Sequence, residues 1–318
     1  MSKNSAIKYM LIGAGIAGAT CAVAGKCLVD IYLSSKHLSK QHEGTELLSA
    51  ENAETLNHSE EVYLGKAFYR STPHVKISIT NRSGEHIHSI FYKNPSGSNV
   101  FVIFCHGYGS AAKDNAHMAM HYYKMGYNVL MPHMRAHCGS SHKYCTMGWL
   151  ERLDIIDWIN FITTTNKDCR IVLHGLSMGG AMVMMVTGEE LPQSVACAIE
   201  DCGYTSVYDE YKAQVRKVAH LPPFPALNIF RAAAKIIAGF DIKEASATVQ
   251  VRKSKTPTLF IHGSADDFVP FRMLDEVYEN AACEKEKLVF EGADHATSSI
   301  MFPERYWNCV EEFIKKYI

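Results

Sequence analysis

The sequence predicts an α/β fold: a mostly parallel central sheet with helices on both faces and a small helical cap. Three observations carry that prediction. From Asn99 onward, near-continuous apolar strands alternate with helical segments, which is the pattern of strands buried on both faces. One interval breaks the rhythm: more than fifty residues separate the strand ending at Glu200 from the one beginning near Pro257, too long for a simple connection. The composition is globular, with 318 residues of which 47% are hydrophobic and 20% charged. Thirty-two basic against 33 acidic residues leave a net charge of −1, so no basic footprint for nucleic acid exists.

The chain opens unlike the rest. Seventeen uncharged residues, Tyr9 to Gly25, lie between Lys8 and Lys26. That is close to the shortest spanning helix, and Cys27-Leu28-Val29 extends it if Lys26 snorkels. Residues 1–33 are therefore expected to anchor the protein in a membrane. Lys3 and Lys8 keep the start cytoplasmic and place the remainder on the extracytoplasmic side. Ala22-Val23-Ala24 also fits the cleavage site of a signal peptide, the rival reading. Gly13-Ala-Gly15-Ile-Ala-Gly18, with Asp30 beyond it, spells a dinucleotide fingerprint. The second strand that such a site requires does not follow, so no cofactor is expected. Residues 34–61 are polar, without sustained apolar periodicity, and read as a tether.

The body occupies residues 62–318. Val75, Ile77 and Ile79 alternate, as do Ile87, Ser89 and Phe91, on either side of Asn81-Arg-Ser-Gly84, which predicts a β-hairpin. His86 and His88 fall on one face of it and read as surface residues. Strands follow at Val100–Cys105, Tyr127–Met131, Arg170–Leu173, Val195–Glu200, Pro257–Ile261 and Lys287–Phe290. Helices are expected over Asp114–Met125, Trp149–Thr164 and Glu304–Tyr317. The long interval, about 204–255, reads as the cap, with helical patterns at Val207–Val218 and Leu227–Ala238 flanking a proline cluster. Its Tyr211, Phe224 and Phe230 either pack the cap core or line an apolar pocket. Ten cysteines are scattered, several inside apolar strands (Cys105, Cys169, Cys197), and read as buried free thiols.

The chemistry is concentrated at strand ends. Arg170-Ile-Val-Leu-His174 runs into Gly175-Leu-Ser177-Met-Gly179-Gly180 and then a helical stretch. This is G-x-S-x-G between a strand and a helix, where a sharp turn lifts the serine oxygen to a helix N-terminus. A serine hydroxyl attacks only when a base takes its proton and an acid orients that base. In this context the partners follow in the order acid, then histidine. Asp266 stands at the mouth of the strand Pro257–Ile261, with Asp267 as a more solvated rival and Asp201 as another alternative. His295 is the one histidine after Asp266 in a chain with sixteen, which singles it out as base. Acyl transfer also needs amide donors for an oxyanion. Met178, next to Ser177, and Tyr108, in His106-Gly107-Tyr108-Gly109, are the expected pair.

These four pieces, His106-Gly-Tyr-Gly, Gly175-Leu-Ser-Met-Gly-Gly, His262-Gly-Ser-Ala-Asp266 and Gly292-Ala-Asp-His295, resemble the α/β-hydrolase superfamily over roughly residues 75–318. More narrowly the chain resembles the bacterial serine aminopeptidase-like and monoglyceride-lipase-like branch, which includes membrane-anchored members. The resemblance implies an α/β-hydrolase fold, a Ser177–Asp266–His295 triad and a small-molecule ester or short peptide as substrate. It departs from the usual Asp-x-Arg-x-His/Gly-Gly-x-Ser run at His133-Met-Arg135-Ala-His137-Cys138-Gly-Ser140, where His133 and Cys138 replace Asp and Gly. That loop supports the oxyanion side. An ester is the expected substrate, because an aminopeptidase needs an acidic group for a free amine and none is evident. A non-catalytic binding protein on the same fold is a reading from a different class, and a flavin or nicotinamide oxidoreductase is the third. His133, His137-Cys138, His142 and Cys145 match no complete zinc spacing, so no metal is expected.

Overall fold

The structure is a computed structural model that describes residues 20–36, 38, 59–138, 140–218 and 222–318. In chain order these form helix α1 over 20–33, α2 (Glu60–Ser71), β1 (Val75–Thr80), β2 (His86–Tyr92), β3 (Val100–Cys105), α3 (Ala116–Lys124), β4 (Asn128–Pro132) and α4 (Glu151–Thr165). Next come β5 (Arg170–Leu176), α5 (Met178–Thr187), β6 (Val195–Asp201), α6 (Val207–Val218), α7 (Ala226–Ile237) and α8 (Ala247–Val251). The chain closes with β7 (Thr258–Gly263), α9 (Arg272–Asn280), β8 (Lys285–Phe290), α10 (Ser298–Met301) and α11 (Pro303–Lys315).

The eight strands form one sheet in the order β1-β2-β4-β3-β5-β6-β7-β8. β2 runs antiparallel to both its neighbours, and every other pairing is parallel. The hairpin turns where expected. The Asn81 side-chain oxygen accepts from the amides of Ser83 (3.0 Å) and Glu85 (2.9 Å), and Gly84 takes the positive φ of 80°.

Alternation along β3 shows why a continuous apolar strand suits this sheet. Phe101, Ile103 and Cys105 enter one core with α4, α5 and the cap, while Val100, Val102 and Phe104 enter the other with α3 and α11. α5 is buried along all ten residues, so its apolar surface runs right round. β4 and β5 lie on opposite sides of β3. The chain therefore reverses direction across the sheet at β3, and the loops after β3 and β5 part to leave a crevice at the strand ends.

The cap leaves the sheet between β6 and β7. Its base is closed by a bridge between Ser206 and Ser246, and the Arg231 guanidinium grips Asp241 with two bonds of 2.6 and 2.7 Å. All ten cysteines are free thiols, and Cys105, Cys169 and Cys197 are buried as expected.

Of the expected anchor, residues 1–19 lie outside the described residues. Among the described residues no helix is long and apolar enough to cross a membrane. α1 instead lies on the globular body and buries Val29 and Leu33 completely. Gly25 faces α7 so closely that a Cβ there would sit 2.8 Å from the Cβ of Ala233. The supposed tether also starts docked: Ser35 donates to the Lys143 carbonyl at 2.9 Å, and Leu38 is buried. Asp30 accepts from Lys26 and from the Tyr144 hydroxyl. The glycine fingerprint at Gly13–Gly18 lies outside the described residues. α2 begins where the tether was expected to end, with Ser59 accepting from Val62 N–H as its N-cap.

Candidate active site

Ser177 occupies the turn between β5 and α5 with φ 57° and ψ −117°, a conformation that non-glycine residues rarely hold. Two glycines make the turn possible. A Cβ on Gly175 would lie 2.0 Å from the Gly179 oxygen, and one on Gly179 would lie 1.9 Å from the Cys105 oxygen. Backbone packed that tightly leaves the serine side chain as the one that projects. The turn is tied to the neighbouring strand by Ser177 N–H donating to the Asp201 carbonyl at 2.8 Å.

Ser177, Asp266 and His295, predicted from three separate strand ends, converge. Ser177 Oγ is 2.8 Å from His295 Nε2, and His295 Nδ1 is 2.8 Å from Asp266 Oδ2. A carboxylate can only accept, so Nδ1 carries the proton and Nε2 is left to accept from the serine hydroxyl. The second Asp266 oxygen accepts from the amides of Phe268 (3.0 Å) and Val269 (2.9 Å). Burial would raise Asp266, but His295 and His262 beside it hold it well below its ordinary value. Burial likewise pulls His295 down. The Asp266 charge and hydrogen bond, with smaller contributions from Glu210 and Asp201, outweigh it and leave the imidazole above its ordinary 6.5.

Two partners were not legible in the motifs. His262 Nε2 lies 3.1 Å from Asp266 Oδ2 and 3.0 Å from the Val269 carbonyl, so a second histidine braces the acid. Phe268 lays its ring against His295 with centroids 4.8 Å apart, and its carbonyl accepts from Gln214 of α6 at 2.7 Å. Gln214 also donates to Glu210 at 2.7 Å. Glu210 is buried, pushed up to about 7 mainly by that burial, and its other oxygen has no partner among the described residues.

The oxyanion candidates frame the serine. Gly107 packs on Ser177, where an added Cβ would meet the Ser177 Cβ at 3.4 Å, so the Tyr108 loop passes beside that serine. Met178 opens α5, where backbone N–H groups have no intrahelical acceptor. The divergent loop backs this arrangement. His137 Nε2 accepts from Gly109 N–H (2.9 Å) while Nδ1 donates to the Arg135 carbonyl (2.8 Å), and Met134 N–H donates to His106 Nε2 (3.3 Å). Arg135 is clamped by two bonds of 2.6 and 2.8 Å to Asp154. Cys138 adopts φ 51°, the conformation that explains glycine at this point in the usual pattern.

The alternatives fall elsewhere. Asp201 accepts from the Tyr306 hydroxyl at 2.8 Å beneath the turn, and burial pushes it up to about 6. Asp267 is exposed and pairs with Lys217 at 2.5 Å. His142 sits 2.5 Å from Glu85. The one close trio of metal-capable side chains among the described residues is Cys202, Asp266 and His295, with ligand atoms within 4.8 Å of one another. Tyr211 and Phe230 pack edge to face in the cap, 4.8 Å between centroids, while Phe224 is exposed.

Residues 100–235 match the family model described as alpha/beta hydrolase fold. The uncharacterized protein YqkD of Bacillus subtilis is 27% identical over 225 residues, covering 70% of this chain and 74% of that protein. The uncharacterized membrane protein YNL320W of Saccharomyces cerevisiae is 21% identical over 247 residues, covering 77% and 81%. Among solved structures, the Pyrococcus furiosus esterase Pf2001 superposes with a TM-score of 0.61 at 25% identity, covering 78% of this chain and 93% of the esterase. Est1E of Butyrivibrio proteoclasticus, solved with ferulic acid, has a TM-score of 0.60 at 16% identity, covering 76% and 98%. The sheet order, the strand-to-helix turn and these matches together show that the chain has the α/β-hydrolase fold.

Proposed function

We propose that the protein is a serine hydrolase that cleaves carboxylic esters through an acyl-enzyme. The observation that carries this reading is the unbroken line of hydrogen bonds from Ser177 through His295 to Asp266. His295 takes the hydroxyl proton as Ser177 Oγ bonds to the ester carbonyl carbon. The Asp266 carboxylate stabilises the imidazolium, and the amides of Tyr108 and Met178 receive the oxyanion. The imidazolium then protonates the departing alkoxide, and water repeats the sequence to release the acid. Ester chemistry is favoured because esters ask least of such a site and because Pf2001 is named an esterase.

Labelling with a fluorophosphonate probe tests the assignment. Wild-type protein is expected to label and Ser177→Ala is not; equal labelling of both, or of neither, defeats it. A second reading rests on Glu210: a buried carboxyl near the base is the acidic group that an aminopeptidase needs for its substrate's amine. p-Nitrophenyl esters tested against aminoacyl p-nitroanilides separate the two. Turnover of the anilides that Glu210→Gln abolishes, with ester turnover retained, favours the peptidase.

A further inference from the structure

We propose that helix α1 is a positioning part of the active site, holding the two residues that supply the oxyanion amides. The inference rests on the serine-hydrolase reading for its catalytic consequence but on geometry for the contact itself. The last carbonyls of a helix lack intrahelical donors and must find others. In α1 the donors come from both sides of the nucleophile. The Tyr32 carbonyl accepts from the Tyr108 hydroxyl at 2.7 Å. The next carbonyl, Leu33, accepts from Cys145 N–H at 2.8 Å, and the Cys145 thiol lies 3.6 Å from the Met178 sulfur. Two consecutive carbonyls thus reach Tyr108 directly and Met178 through one residue.

The same helix end grips the cap. The Tyr32 ring meets Tyr211 and Phe230 edge to face, with centroids 5.9 and 6.3 Å apart. Further upstream, Val29 is fully buried and Gly25 is in close contact with α7. α1 therefore fastens the cap, the Tyr108 loop and the 143–145 segment to one another. Tyr32 meets Tyr108 and the cap and not the Ser177–His295–Asp266 line, so it is a positioning residue.

Two substitutions in the full-length chain test this. Gly25→Leu places side-chain atoms where a Cβ alone already comes within 2.8 Å of Ala233, so it lifts the helix far from the chemistry. Tyr108→Phe removes the hydroxyl bond to Tyr32 and keeps the Tyr108 amide. Val23→Ser, on the exposed face of α1, is the control. Each is measured for kcat and KM on p-nitrophenyl butyrate, per site titrated with fluorophosphonate, and for amide hydrogen exchange over residues 106–110 and 143–147. Both test variants are expected to lose about tenfold in kcat with KM nearly unchanged, because misplaced oxyanion donors weaken the transition state alone. Exchange in both segments should quicken about tenfold for Gly25→Leu, and over 106–110 for Tyr108→Phe, while Val23→Ser matches wild type. Per-site kcat within twofold of wild type together with unchanged exchange overturns the proposal. If wild type neither labels nor turns over ester, the serine-hydrolase reading fails. The exchange result still decides whether α1 holds the loops, and unchanged exchange alone then overturns the proposal. Should Gly25→Leu not fold, Tyr108→Phe decides the outcome.

Discussion

His295 is poised by charge as well as by geometry. Its value lies above 6.5 because Asp266, Glu210 and Asp201 surround it with carboxyl groups that outweigh burial. Only the neutral imidazole accepts the Ser177 proton, so kcat/KM should rise as pH climbs through that raised value, giving an acid limb above pH 6.5. Removing a carboxyl that ionises in the same range as the imidazole lowers the value. Glu210→Gln should therefore move the acid limb to lower pH, read from kcat/KM profiles on an uncharged ester. Asp266→Asn should reduce kcat by about 10³–10⁴ with the protein still folded, since the amide no longer enforces the tautomer. At the same scale Gly179 tolerates no side chain. A methyl group 1.9 Å from a backbone carbonyl cannot be relieved by a rotamer change, so Gly179→Ala should yield little folded protein, seen as loss of the wild-type peak on size exclusion.

Two loops carry most of the support for the site. The segment before α4 folds round Glu151, whose buried carboxylate accepts from Thr146 N–H (2.7 Å), the Thr146 hydroxyl (2.5 Å) and Gly148 N–H (3.0 Å). Glu151→Ala leaves three donors without their acceptor and should lower unfolding free energy by about 3 kcal/mol, measured as a shift of the urea midpoint. The 133–140 loop departs from its usual pattern at His133 and Cys138 yet retains His137, and His137 makes the bond to Gly109. His137→Leu should lower kcat by about tenfold with KM little changed, in a steady-state assay on a short ester. The elements differ in how plainly they are written. The strand-to-helix turn is legible because its glycines are needed locally, by backbone contacts within a few residues. α2 shows only Ser59 followed by Glu60 and Glu61, a cap signal without enough apolar periodicity behind it to outweigh the polar tract before it. His262 is equally quiet. A histidine at a strand end reads as core until the fold brings Asp266 beside it.

Across the whole molecule, the ten thiols report on packing. Cys105, Cys145, Cys169, Cys197 and Cys202 are buried, and burial raises each thiol well above its ordinary value except Cys169, where the rise is smaller. Titration with a disulfide reagent should leave these five unreacted in native protein and release all ten in denaturant. What the sequence determined by itself is the set of features governed by short-range physics. These are the apolar strands of a sheet covered on both faces, the glycines that permit the Ser177 turn, and an acid and a histidine each placed at the end of a strand. The order of strands then makes those ends converge, so the catalytic candidates were legible from spacing and sequence order. What only the tertiary structure decided is which surface buries each apolar or polar group. The apolar face that carries Val29 and Leu33 leaves water for any apolar surface, because that transfer is non-directional. The packing of Val29 and Leu33, and the bonds that end α1 at Tyr108 and Cys145, are made with residues more than seventy positions away, and no local pattern encodes them.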